Sequence, residues 1–332
     1  MENSLVFIRR QRNLPSIKSL QPGLCNYPSQ VVNIDHNGYI FVCLCEAWLP
    51  WSIGHVMDFA SIHDIQNAKM TKDIIRSQEL GHYEYCDTKH CNVSNQFERK
   101  LYETQIYLGI DDSCQLTCPS CRNEMIFEKD YHHKINWVQR IIKWLNHENL
   151  GPTNILIGAH GDPFASRLYR ETMEAIGKLD TIIKFQLRTN GLLLTRYLEE
   201  LDILSRLSLL EISIDAATEH TYQLVRQPAR WANLIENLEF LQTIRQVADF
   251  QVQANFVVQK NNYKEMPNFV DLCNNYNMRP NFTLLQDWNT FSYKNNAVHQ
   301  STHADHLEFL SVIANDKIKP YIGNKFDNWT KS

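Results

Sequence analysis

The run Thr104-Gln-Ile-Tyr-Leu-Gly-Ile110, continued by Asp111-Asp-Ser-Cys114-Gln-Leu-Thr-Cys118-Pro-Ser-Cys121, decides how the rest of this chain is read. Its first part has the alternating apolar character of a strand. Its second part sets three cysteines at C-x3-C-x2-C spacing just beyond that strand. Downstream, strand and helix patterns alternate. Strand-like runs occupy 153–158, 182–188, 208–214, 250–258 and 281–286. Helical patterns lie between them. The clearest is 135–149, where Ile135, Val138, Ile141, Ile142 and Leu145 share one stripe. Six strands alternating with helices predict an α/β fold built as a parallel barrel, open or closed.

Composition sets the outer bounds. A length of 332 residues suggests about two domains. Hydrophobic residues at 43% and charged residues at 21% exclude a disordered chain. A net charge of −4 leaves no footprint for sequence-independent nucleic-acid binding. The most apolar stretch, 39–60, is interrupted by Glu46, Pro50 and His55, so it is too short to span a membrane. The first ten residues do not read as a secretion signal. A cytoplasmic protein is expected.

The nine cysteines carry the most information. In a reducing cytosol, and with an odd count, they are not expected to form a disulfide framework. Eight of them fall within 25–121. Thiolates gathered at short spacing are metal ligands. Zinc sites favour two C-x2-C pairs. Three thiolates on one loop instead suit an iron–sulfur cubane, with three irons held by protein and one left open. Zinc stays the alternative.

Active sites of parallel barrels sit at the carboxyl ends of the strands. Those ends are polar here: His160-Gly161-Asp162-Pro163, Thr189-Asn190-Gly191, Ser213 with Asp215, Gln259 with Asn261 and Asn262, and Asp287 with Trp288. With the cysteine triplet, this pattern resembles the radical S-adenosylmethionine (radical SAM) superfamily over most of 104–290. The resemblance implies a partial (β/α)6 parallel barrel and a [4Fe–4S] cluster on Cys114, Cys118 and Cys121 whose open iron chelates SAM. Gly161, Asp162 and Pro163 look like the family's Gly-Gly-Glu-Pro element, which meets the SAM amino group. His160 stands for its first glycine and Asp162 for its glutamate. By the same likeness Ser213 and Asp215 would face SAM, Arg226 would pair with its carboxylate, and Thr189, Asn190, Gln259 and Asn262 would complete the pocket. An unpaired, solvated Arg226 is the plainer reading.

Upstream, 31–34 and 39–42 flank Asp35-His-Asn-Gly38 and read as a hairpin. It returns the chain so that Cys25 and Cys43 can approach. A helical stretch follows near 61–79, then Cys86 and Cys91. This C-x12-G-x4-C … C-x4-C arrangement resembles a SPASM or twitch segment, here placed before the barrel. That likeness implies an auxiliary [4Fe–4S] cluster on Cys25, Cys43, Cys86 and Cys91, with Cys45 as an alternate ligand; zinc is again the alternative. The expected organisation is an extension over 1–24, the auxiliary domain over 25–98, the barrel over 99–290 and a helical segment over 291–332.

Taken together, the resemblance implies reductive cleavage of SAM to a 5′-deoxyadenosyl radical, which abstracts hydrogen from a substrate C–H. An external one-electron donor such as flavodoxin or ferredoxin is implied as partner. A ribosomally made peptide is the expected substrate, undergoing cross-linking, oxidation or epimerisation. A carbohydrate or other small metabolite is the alternative, and a non-catalytic iron–sulfur or zinc protein the alternative of another class. Cys273 is a candidate hydrogen donor, set against packing as a small hydrophobe. His299, His303 and His306 are expected on a solvated helix face.

Overall fold

The computed structural model describes residues 25–44, 49–87, 104–147, 150–181, 183–287, 290–323 and 329. Among the described residues there are nine strands: β1 (Val31–Ile34), β2 (Tyr39–Phe41), β3 (Gly54–His55), β4 (Thr104–Leu108), β5 (Thr153–Ile157), β6 (Ile183–Thr189), β7 (Leu207–Ser213), β8 (Gln251–Val258) and β9 (Arg279–Leu284). Their hydrogen-bonded order is β3-β2-β1-β4-β5-β6-β7-β8-β9. The fold is α/β with a mostly parallel sheet that does not close on itself, in line with the open barrel expected. Among the described residues no helix is long and apolar enough to cross a membrane.

The chain divides into two compact units. The first comprises 1–112, 128–161 and 167–185; the second comprises 113–127, 162–166 and 186–332. Strand β6 begins in one and ends in the other.

In the first unit the predicted hairpin is present. Asp35 Oδ1 accepts from Asn37 N at 2.9 Å and Tyr39 N at 2.8 Å, an Asx turn that Gly38 completes at φ +78°. The hairpin extends the sheet, because β1 pairs in parallel with β4 from Val31↔Gln105 to Ile34↔Leu108. Strand β4 continues to β5 in parallel register, ending at Leu108↔Ile157. All five residues of β5 are buried, as expected of a parallel strand covered on both faces. Helix Tyr131–His147 matches the predicted one, but its stripe is rotated. Trp137, Val138, Ile141, Trp144 and Leu145 are buried, whereas Ile135 and Ile142 are only half-buried. The two indoles bury more apolar area than the isoleucines they displace. The helical stretch expected over 61–79 is two helices, Ile62–Asn67 and Lys69–Glu79. Ala68, at ψ 146°, breaks them apart.

In the second unit β7, β8 and β9 are parallel, with Ser213↔Asn255 and Val258↔Leu284 near their ends. Helix Met266–Asn275 buries Met266, Phe269, Val270 and Cys273, an i, i+3, i+4, i+7 stripe. Phe256, Phe269 and Phe282 meet with ring centroids 4.8 to 5.8 Å apart.

Candidate cofactor site

Nearly every candidate residue of the barrel lies in the second unit. The cysteine loop is fixed at three points. Cys114 N donates to Ile126 O at 2.8 Å, bracketing the loop. Thr117 N donates to Gln227 O at 2.7 Å. Cys121 N and Arg122 N both donate to Cys118 O, at 2.8 and 3.0 Å, so one tight turn carries Cys118 and Cys121. The thiols lie within electrostatic reach of one another, Cys114 of Cys118 and Cys118 of Cys121. Burial pushes the Cys114 thiol up to about 11. Burial raises Cys118 too, against a pull in the opposite direction from Arg226. Metal binding here must therefore expel protons, as thiolate ligation requires.

Asp162 is wholly buried and serves as an internal anchor. Its N–H donates to Ser113 O at 2.8 Å, tying it to the cysteine loop. Oδ1 accepts from Phe164 N at 3.0 Å and Ala165 N at 3.2 Å. Oδ2 accepts from Thr189 Oγ1 and Asn190 N, both at 2.8 Å. Four donors from its own chain fill the carboxylate's lone-pair sites. Within the chain, this acid therefore has a positioning task. Burial raises its pKa, and these four hydrogen bonds oppose the rise. Asn190 carries the anchor onward: its Nδ2 lies 3.9 Å from Cys114 Sγ and 3.2 Å from Gln115 Oε1. Gly161 turns the chain at φ +66°, and Pro163 is buried beside Asp162.

Beyond β7, Ser213 is half-buried and Asp215 adopts φ +61°. That left-handed conformation costs a non-glycine residue about 1–2 kcal/mol. It is held by Asp215 Oδ1, which accepts from Val257 N at 2.7 Å, and by Oδ2, which meets Arg226 Nη2 at 2.6 Å. Arg226 follows helix Glu219–Val225 and is not solvated; its side chain is 13% exposed. Its Nη1 lies 3.8 Å from Cys118 Sγ. Burial works against the guanidinium charge, but Asp215 and Cys118 more than offset it, and its pKa rises. Asn262 locks the end of β8. Its Nδ2 donates to Asp215 O and Val257 O, both at 2.9 Å, and its Oδ1 accepts from Gln259 N at 2.8 Å.

Among the predicted site residues, two donors are left over. Arg226 Nε and Gln259 Nε2 are buried with no hydrogen-bond partner. Buried donors are rarely left unpaired, so each calls for an acceptor supplied from outside the chain. Three thiols on a bracketed loop together with these vacant donors fit an iron–sulfur cluster carrying an anionic ligand.

Other expectations fare differently. Cys273 has no exposed surface and sits in the core stripe of its helix, with burial driving its thiol pKa far up. That is the packing reading, because a hydrogen donor must reach substrate. The three histidines are not on a solvated face. His299 and His306 are buried, and His303's side chain is 5% exposed. They are tied to Tyr293 Oη, Val298 O and Asn295 O respectively at 3.0 to 3.1 Å. Contacts with two backbone carbonyls and one tyrosine hydroxyl, rather than with water, fix them. Trp288 lies outside the described residues.

Of the upstream cysteines, Cys25 and Cys86 lie within electrostatic reach in the first unit. Burial is the main cause that pushes Cys25 up to about 11. Gln78 Nε2 donates to Cys86 Sγ at 3.5 Å. Cys43 is buried. Cys45 and Cys91 fall outside the described residues.

Sequence reasoning missed a polar ladder across β6 to β9. Arg188 holds Glu211 by two bonds of 3.0 and 3.3 Å, Glu211 accepts from Asn255 Nδ2 at 3.0 Å, and Asn255 accepts from Asn281 Nδ2 at 2.8 Å. Polar residues on one face of otherwise apolar strands were the available signal. Glu265 was missed as well. It accepts from Ala217 N, Thr218 N and the hydroxyls of Thr218 and Thr221, pinning the loop after β7.

Residues 110–273 match the model of the Radical SAM superfamily. The matched stretch, just under half of the chain, carries the three loop cysteines and most of the other candidate residues, and a [4Fe–4S] cluster with SAM is the cofactor set that goes with it. The chain is 23% identical over 174 residues to molybdenum cofactor biosynthesis protein 1 of Dictyostelium discoideum, covering 52% of this chain and 27% of that one. It is 25% identical over 176 residues to a GTP 3′,8-cyclase of Staphylococcus epidermidis, covering 51% and 49%. The chain thus spans half or less of the length of these curated relatives. Among solved structures, Streptococcus suis SuiB bound to S-adenosylmethionine is 14% identical, covering 79% of this chain and 60% of that one at TM-score 0.45. Native anSMEcpe with bound AdoMet is 17% identical, covering 68% and 61% at TM-score 0.44.

Proposed function

We propose that this protein is a radical SAM enzyme that abstracts hydrogen from a C–H bond of a ribosomally made peptide. The observation that carries the reading is the bracketed loop of Cys114, Cys118 and Cys121 with Arg226 packed against Cys118. Held by these three cysteines, a cluster with SAM would supply one-electron chemistry able to take hydrogen from an unactivated carbon. The chain's own residues bind and orient. Cys114, Cys118 and Cys121 are the three ligands. Arg226 keeps its charge, held by Asp215, and offers Nε to the carboxylate of SAM. Gln259 Nε2 and Ser213 offer further polar contacts. Asp162, Thr189, Asn190 and Asn262 set the loops that carry these groups. Burial of Asp215, Arg226 and Cys118 keeps water from the charged cluster of side chains.

In the same reading Cys25, Cys43, Cys86 and Cys91 hold an auxiliary [4Fe–4S] cluster, with Cys45 as alternate. A four-thiolate cluster has no open iron and suits electron transfer, so a net oxidation such as a cross-link follows naturally. An external flavodoxin- or ferredoxin-like donor supplies the electron. The upstream cysteines favour a peptide, since relatives with such segments act on peptides most often. The likeness to a GTP 3′,8-cyclase favours a small metabolite as the second reading.

The test is anaerobic turnover of the iron-loaded chain with SAM and reductant, adding the short peptide encoded beside its gene, GTP, or sugar nucleotides. The reading expects 5′-deoxyadenosine and a mass change of the peptide only in the first case. Product with GTP or a sugar alone would transfer the assignment to the second reading. No cleavage of SAM under any condition would remove the enzyme reading.

A further inference from the structure

A second group of ligand-bearing side chains lies in the first unit, built from residues that the cluster chemistry does not use. Strands β1, β4 and β5 are neighbours in register, with Ile34 opposite Leu108 and Leu108 opposite Ile157. His36 follows the end of β1 by two residues, Asp112 the end of β4 by four, and His160 the end of β5 by three. All three therefore leave the sheet at the same edge. Their ligand atoms lie within 4.8 Å of one another. His36 Nδ1 is 3.9 Å from Asp112 Oδ2, and His160 Nδ1 is 3.5 Å from Asp112 Oδ1.

The backbone around them is fixed for the purpose. The Asx turn of Asp35 holds His36. Gly109 N donates to Ile34 O at 2.7 Å. A Cβ on Gly109 would stand 2.5 Å from His160 Cδ2 and 3.0 Å from Ile34 O, so only glycine lets the imidazole lie against β4. The hydroxyl of Tyr169 accepts from Asp111 N at 3.2 Å and sits 3.0 Å from Leu108 O and 3.2 Å from His160 O, binding the two loops together.

Ligands about 2.0–2.1 Å from one metal ion lie roughly 3–3.5 Å apart, so drawing these atoms, now within 4.8 Å of one another, together by about an ångström would seat an ion. His36 Nδ1 is buried and makes no hydrogen bond, although it faces Asp112. Its other nitrogen, Nε2, is 3.0 Å from the Asn37 amide. Turning that amide over lets its oxygen accept Nε2–H, which leaves the Nδ1 lone pair for a metal. One carboxylate with two neutral imidazoles carries net negative charge. The side chains are 41%, 31% and 35% exposed, so one side of the group is open.

We propose that His36, Asp112 and His160 bind a divalent first-row transition-metal ion, leaving the solvent side for water or an oxygen ligand. Two imidazoles and one carboxylate suit such a borderline cation better than calcium or magnesium. The site is independent of the iron–sulfur ligands and of the proposed reaction.

Zinc(II) is the probe. The full chain, iron-loaded without oxygen, is equilibrated with micromolar zinc, washed and measured by plasma mass spectrometry. The expected result is one zinc per wild-type chain, falling at least tenfold in His36→Gln and in Asp112→Asn. Zinc also binds thiolates, so a variant with Cys114, Cys118 and Cys121 each changed to serine serves as control and should keep its zinc. X-ray absorption on wild-type protein decides the case even if a variant fails to fold. It should show nitrogen and oxygen at about 2.0–2.1 Å with imidazole scattering, and no sulfur at about 2.3 Å. Absence of retained zinc in the wild type, equal zinc in folded variants, or a sulfur shell would each overturn the proposal.

Discussion

Replacing Asp162 by asparagine tests whether this carboxylate is the anchor of the cofactor loops. Each of its oxygens accepts two hydrogen bonds, from Phe164 N and Ala165 N on one side and from Thr189 Oγ1 and Asn190 N on the other. An amide keeps one oxygen and turns an NH2 toward two donors. The cheaper orientation points the NH2 at Thr189, whose hydroxyl can rotate to accept. The Asn190 N–H then has no acceptor. A buried donor left unpaired costs about 1–3 kcal/mol, and the remaining bonds weaken when the charge is lost. Relief from burying a carboxylate offsets part of this. The net loss should be about 2 kcal/mol, and Asp162→Ala, which removes both oxygens, should lose more. Urea midpoints of the full chain read the total. Hydrogen exchange read by mass spectrometry locates it: amides at 164–165 and 190 should lose protection first. Unchanged midpoints and protection in the asparagine variant would refute the anchoring argument.

Two further outcomes follow from buried groups. Burial, aided by the charges of His306 and His303, holds His299 down at about 4, against 6.5 for a free imidazole. The fold therefore prefers neutral His299: this stability is complete above pH 6.5 and is lost as pH falls toward 4. The gap is about 2.5 pH units, or about 3 kcal/mol. Urea midpoints of wild type should fall over that window more steeply than those of His299→Gln; parallel curves would contradict it. Cys273→Ala should keep 5′-deoxyadenosine formation within about twofold while losing about 1 kcal/mol of stability to the cavity. A collapse of turnover in a stable variant would make Cys273 a hydrogen donor after all.

The sequence made legible whatever depends on neighbours in the chain. The Cys114–Cys121 spacing, the Asp35–Gly38 turn and the alternation of β4 to β9 with helices are local patterns, and the structure carries them. What escaped depends on side chains meeting across segments. Arg226 reads as an exposed charge at a helix end until Asp215, eleven residues earlier, is found against it. The anchoring by Asp162 shows only once its four donors are placed. The stripe of helix Tyr131–His147 turned toward Trp137 and Trp144 because ring area outweighs a regular isoleucine pattern. The break at Ala68 has no strong signature in the one-dimensional pattern, and the ladder from Arg188 to Asn281 shows there only as polar residues in otherwise apolar strands, without their partners.

Mössbauer spectroscopy of iron-57-loaded chain, before and after addition of SAM, reaches the root of the account. It should show cubane iron of which one site changes when SAM is added, and this iron should vanish when Cys114, Cys118 and Cys121 are replaced together. Iron retained in that triple variant, or spectra indifferent to SAM, would contradict a cluster with one open corner at this loop.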